Sequence, residues 1–189
     1  MRRTTFWAAA LFLSVGFTQG AFAQGIEGER LSYAIHPLGG VAEYCDLGLQ
    51  DLDGRQVRVS RFTTDTFGFK DREIIYSDPQ TLLPVRVLRD VRSWFNRYAI
   101  VEEYDQTAFT VTIRKYKGDR LIEETVKTAD GPITNPILAA FYPRTAPELR
   151  EGWSFDMRTP LEYTVTLKGI ESIRIGEQTP CDFHHIRLS

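Results

Sequence analysis

A mainly β, antiparallel architecture is what this 189-residue sequence predicts, and three observations carry the prediction. Apolar and polar residues alternate with period two through most of the chain. Turn-forming Gly, Pro, Asp and Ser interrupt that alternation at short intervals. Only one stretch, beginning near residue 135, has the chemistry of a helix start. The expected form is a curved antiparallel sheet or open, unclosed β-barrel, with one short helix packed on it.

Residues 1–23 stand apart from that pattern. Met1-Arg2-Arg3 is a basic start, Thr5 to Phe17 is an apolar run, and Ala21-Phe22-Ala23 is an A-x-A cleavage sequence followed by Gln24. The run is too short to cross roughly 30 Å of hydrocarbon as a stable span. Thr4-Thr5-Phe6 fits an ordinary basic leader better than a twin-arginine signal. The expectation is an export signal removed after Ala23, leaving residues 24–189 as one β-rich domain, soluble in the periplasm. Gln24 is not Cys, so no lipid attachment is expected at the cleavage point. No later apolar run reaches spanning length. Residues 1–23 carry two Arg and no acid, so their loss takes the net charge from −2 to −4. An acidic, exported chain is a poor match for nucleic acid.

The strands follow in order. Val57 and Val59 alternate with Arg58 and Ser60. Ile74-Ile75-Tyr76 runs into Ser77-Asp78-Pro79-Gln80, where Pro presets φ and Asp78 offers its side chain to the backbone. Val85, Val87 and Val91 mark a face of the next strand. Phe109, Val111 and Ile113 alternate with Thr110, Thr112 and Arg114, and Lys117-Gly118-Asp119 turns the chain back into Leu121 to Val126. Trp153, Phe155 and Met157, then Leu161, Tyr163, Val165 and Leu167, repeat the pattern. About ten strands are expected, each with one buried and one wet face. Between them, Asn135 suits an N-cap and Pro136 a first helical position. A helix is expected over 136–142, stopped by Pro143, with Ile137, Leu138 and Phe141 inward.

Gly28-Glu29-Arg30-Leu31-Ser32-Tyr33 at the first strand and Asp78 to Arg86 at a turn and strand start resemble an exported bacterial family. Asn135 to Tyr142 with Arg144, and Glu151-Gly152-Trp153-Ser154-Phe155, continue the likeness in the same order. That family is catalogued as domain of unknown function 3108. The resemblance implies a periplasmic β-rich protein of open-barrel type, like those that carry lipoproteins or lipids, and implies no catalytic residues. Two departures are visible. Val41 to Cys45 lacks a clear second glycine, and the family's closing C-terminal hairpin is expected to be missing, because the chain stops at Ser189 within a strand over Phe183 to Leu188. The expectation is either a fragment of a longer sequence or a shortened sheet with an exposed edge.

Candidate chemistry is sparse. Cys45 and Cys181 allow one disulfide in an oxidising compartment, the alternative being two separate buried thiols. His184 and His185 are neighbours on a strand and point apart, which suits a metal poorly, and His36 is their only other partner. Glu102-Glu103 and Glu123-Glu124 also point apart, and read as solvated strand ends rather than a glycosidase pair. Gly39-Gly40 reads as a turn, since no helix follows it. No G-x-S-x-G elbow or C-x-x-C is present. No metal and no cofactor are expected.

Two weaker signals concern binding. Beyond residue 23 the chain has 16 Arg and 5 Lys, and Arg86, Arg89, Arg92 and Arg97 surround Trp94, Phe95 and Tyr98. Arg92, Arg97, Trp94, Phe95 and Tyr98 form a candidate site for an anionic head group beside an apolar cavity, the plainer account being long side chains lying along strand faces. Twelve Phe, eight Tyr and three Trp exceed what a minimal core needs, and one short helix would leave part of a concave face open. The leading expectation is a non-enzymatic periplasmic protein that binds a lipid or acylated envelope component on that face. A protein partner held at a sheet edge is the first alternative, and an enzyme acting on envelope glycans or lipids is the second.

Overall fold

The computed structural model describes residues 26–35, 39–139, 141–145, 154–158, 163–173 and 181–188. The leader over 1–23, His36, Trp153 and Leu161 lie outside them. Eight strands form one antiparallel sheet in chain order: β1 (Arg30–Ala34), β2 (Gly40–Leu52), β3 (Arg55–Thr66), β4 (Phe69–Ser77), β5 (Pro84–Ser93), β6 (Asn96–Asp105), β7 (Thr110–Lys117) and β8 (Arg120–Thr128). The sheet is open, as expected: β1 and β8 are its two edges. Strands β9 (Ser154–Met157), β10 (Tyr163–Ile173) and β11 (Cys181–Leu188) form a second antiparallel sheet in the order β11-β10-β9. No helix among the described residues is long and apolar enough to cross a membrane.

The meander follows from tight turns between long strands. Thr66 pairs with Phe69 and Ser93 with Asn96, so two residues close each of those hairpins. Asp78 caps the β4–β5 turn by accepting from the backbone of Gln80 and Thr81, both at 3.0 Å. One bulge in β2 lies between Asp46 and Leu49, where Gly48 takes a φ of 79° that other residues resist.

The core lies on one face, called the inner face here. Tyr44, Ile75, Leu82 and Val87 meet Ile26, Leu138, Phe141 and Tyr142 there. The last three come from a short plug crossing the sheet. Asn135 accepts from Ile137 N at 2.8 Å and Pro136 takes the first helical position, as expected from the sequence. The helix itself is corrected: it is a single 3-10 turn, Pro136–Leu138, followed by a separate turn of α-helix, α1 (Tyr142–Thr145). Pro143 does not stop a helix. It lies in the first turn of α1, where its missing N–H is not needed. The plug is held by its side chains and by Gln106, which donates to Pro84 O and Ile133 O, both 2.9 Å, and accepts from Ile133 N at 3.0 Å. Asn135 N donates to the Tyr142 hydroxyl at 2.9 Å.

One further expectation is revised. Arg58 and Ser60 do not lie on a wet face: Val57, Arg58, Val59 and Ser60 are all buried, so both faces of β3 are covered. Cys45 is a buried free thiol, and Cys181 begins β11, opposite Ile173 in the other sheet. Strands β10 and β11 pair from Val165↔Leu188 to Ile173↔Cys181.

Candidate functional site

On β4, burial alternates strictly, with Asp71, Glu73, Ile75 and Ser77 on the inner face. Directly opposite on β5 stand Val91, Arg89 and Val87. Strand pairing therefore puts two acids and one guanidinium level with the apolar core. Arg89 Nη2 donates to Asp71 Oδ2, and Arg89 Nε lies 3.4 Å from Glu73 Oε1. The next strand adds Glu102, opposite Val87, and Tyr104, whose hydroxyl donates to Glu102 Oε2 at 2.5 Å. Asp71 Oδ1 and Arg89 Nε are buried and have no hydrogen-bond partner among the described residues. Arg89 Nε faces Glu73 as an ion pair rather than a hydrogen bond, and Asp71 Oδ1 is a buried acceptor whose lack of a partner costs stability.

Burial dominates the electrostatics. It pushes the Glu73 carboxyl up to about 7, with Arg89 opposing and Asp71 and Glu102 reinforcing. Burial opposes the charge on Arg89 as well, but Asp71, Glu73 and Glu102 together hold its pKa up. Burial also raises the Tyr104 phenol, reinforced by Glu102, so it remains a donor. The sign for stability follows. With its folded pKa at about 7 against 4.5 unperturbed, Glu73 binds its proton more tightly folded than unfolded. Its contribution is greatest below the unfolded value and is lost as pH rises towards 7. Glu73→Gln is expected to remove that fall. Urea denaturation of both proteins from about pH 5 to about pH 8 reads the difference, and parallel curves would contradict it.

The cluster divides the inner face. Towards the β4–β5 turn, the plug fills the face. Towards the β5–β6 turn, Val91, Tyr98, Ile100 and Ile113 share the inner face but are only half-buried. Lys115 Nζ sits 4.3 Å from the Tyr98 ring centroid. The inner face is thus covered by the plug at one end and left half-buried at the other, where apolar residues adjoin the Asp71, Glu73 and Arg89 cluster; this half-covered stretch is called the trough.

The five residues expected to grip a head group do not converge. Arg92 and Arg97 pair across β5 and β6 on the outer face, and their Nη2 atoms donate to Asp90 Oδ2 at 2.8 and 3.0 Å. These guanidiniums, Arg92 first, hold the Asp90 carboxyl down to about 2. Trp94 and Phe95 form the turn, and Tyr98 alone faces the trough. The cause is period two: positions 92 and 97 share one face, and 98 takes the other. Glu102 and Glu103 do point apart, but Glu102 is a half-buried inner-face residue rather than a solvated end. Glu103 faces outward to Arg114 at 2.5 Å. His184 and His185 occupy consecutive positions of β11.

Asp71 and Glu73 escaped the sequence reading, and Arg89 was read only as one of four arginines around Trp94, Phe95 and Tyr98. Their signal was available: each shares its parity with a strand valine or isoleucine, Ile75 for the acids and Val87 for the arginine.

A second concavity, about 530 Å³, lies at the plugged end and includes Arg55, Asp78, Tyr104, Asp105 and Gln106. Its polar groups are already committed. Asp78 serves its turn and Arg55, Asp105 accepts from Thr107 N and Ala108 N, and Gln106 holds the plug. It is a structural joint rather than a reactive site. The chain matches no protein-family model, no curated protein and no solved structure.

Proposed function

We propose that this is a non-enzymatic binding protein that takes a single-chain amphipathic molecule, a lipid or acylated compound of the cell envelope, into the open half of the inner face. The carrying observation is the half-buried run Val91, Tyr98, Ile100 and Ile113 beside the charged Asp71, Glu73 and Arg89 cluster. An apolar chain would cover the first and a hydrogen-bonding head the second. Three carboxylates against Arg89 and Lys115 favour a neutral or cationic head over an anionic one. The leader-like residues 1–23 and the resemblance to an exported family support a periplasmic setting.

Titration calorimetry with dodecylphosphocholine and dodecyl sulfate, both below micelle formation, tests this reading. The zwitterionic compound is expected to bind more tightly, with a negative heat-capacity change. Ile100→Lys is expected to weaken it by about tenfold or more, since a cation would enter the apolar stretch, whereas Arg92→Ala is expected to leave it unchanged. Absence of binding by folded protein would overturn the proposal. It would favour a protein partner at the β8 edge, where Leu121, Ile122 and Val126 are exposed.

A further inference from the structure

Two neighbouring hairpin tips carry exposed aromatics that neither the core nor the trough uses. Phe67 is 83% exposed at the β3–β4 turn, and Trp94 and Phe95 are 63% and 90% exposed at the β5–β6 turn. Large apolar groups concentrated at an apex are unusual on a water-exposed surface. They are also poor turn residues. Two-residue hairpin loops favour Gly, Asn and Asp at positive φ, and neither Trp94 nor Phe95 has a positive φ. Local folding preference does not explain them.

The two tips form one unit. The Trp94 ring stands edge-on to Phe67, with centroids 4.9 Å apart and planes at 83°. Its indole nitrogen lies 1.0 Å from where a Cβ on Gly68 would be, and Gly68 has a φ of 79°. Only glycine admits that contact. The aromatics are thus held together at the apex rather than scattered.

Charge lies behind them. Arg92 precedes Trp94 by two residues, Arg97 follows Phe95 by two, and Lys70 follows Phe67 by three. At roughly 3.3 Å per strand residue the cations sit about 7–10 Å behind the apex. Apolar surface docked at a bilayer interface is buried by about 5–10 Å, a depth that would leave such cations level with the phosphates. The nearby acids are Asp65 and Asp90, so three cations face two carboxylates. A protruding apex also fits a deformable surface better than a pocketed partner.

We infer that the paired tips, Phe67 with Trp94 and Phe95, dock the protein on an anionic lipid bilayer. Docking there presents the open half of the trough, which lies at the same end of the strands, to the membrane surface. The inference is separate from the trough reading, because the residues do not overlap.

The test is co-sedimentation with vesicles of phosphatidylcholine alone and of phosphatidylcholine mixed equally with phosphatidylglycerol. The wild type is expected to bind the mixed vesicles, more weakly as salt is raised. Phe67→Ser combined with Phe95→Ser is expected to lower partitioning by about tenfold or more, as two rings no longer leave water. These residues are exposed, so the thermal midpoint and dodecylphosphocholine binding are expected to stay unchanged, which separates the two sites. Wild type and variant share everything outside the tips, so the difference is independent of residues 1–23. Equal partitioning of the two proteins, or no wild-type binding to mixed vesicles, overturns the inference. So does a wild-type dimer that the double variant dissociates, since a second copy would then be the occupant.

Discussion

Phe141→Ala is expected to destabilise the protein by about 3–5 kcal/mol, the range for removing a fully buried phenyl ring without refilling its space. Phe141 is 2% exposed and lies 4.5 Å, centroid to centroid, from Tyr44. The plug has little helix of its own to fall back on, because a three-residue 3-10 turn and a short α-helical turn are not stable in isolation. Its docking therefore depends on Phe141, Leu138 and Tyr142, with Gln106 as the polar tie. Urea denaturation measures the loss as a lower midpoint. A change below about 0.5 kcal/mol, as at an exposed site, would show that the plug is not seated on the inner face.

Arg58→Ala is expected to cost a similar amount, about 3–5 kcal/mol, for a different reason. Arg58 Nη1 donates to Asp46 Oδ2 at 3.0 Å, with the two side chains 5% and 0% exposed. Asp46 Oδ2 also accepts from Gly28 N at 2.9 Å, which ties the chain before β1 to β2. Removing the arginine leaves a carboxylate buried without its cation. The pair itself is a weak stabiliser, since Asp46 Oδ1 and Arg58 Nε are buried without hydrogen-bond partners among the described residues. Asp46→Leu together with Arg58→Met is accordingly expected to be more stable than Arg58→Ala alone. A double-mutant cycle by urea denaturation decides this, and a double variant less stable than the single would refute it.

The strands were legible because alternation and turn chemistry are local. Asp78 caps the turn it was expected to cap, and Asn135 and Pro136 start the 3-10 turn they were expected to start. The site was less legible because β4 carries apolar residues at both parities. Ile75 points inward among Asp71 and Glu73, while Ile74 and Tyr76 point outward. With either face available as the core face, alternation alone does not say which acids are buried. The same ambiguity misplaced Arg58 and Ser60. It did not affect Arg92, Arg97 and Tyr98 as strand residues, but it hid that they face apart.

By itself the sequence determined the class of fold, the meander of tight turns and the position of the plug, because period two, turn residues and caps act over a few neighbouring positions. Tertiary structure alone decided which parity meets the plug, that Cys45 stays a free thiol, and that Arg89 gathers Asp71 and Glu73. It also brought Phe67 against Trp94 across hairpins nearly thirty residues apart. Those outcomes depend on strand register and on what covers each face, and both are set by pairings between distant segments rather than by any local preference.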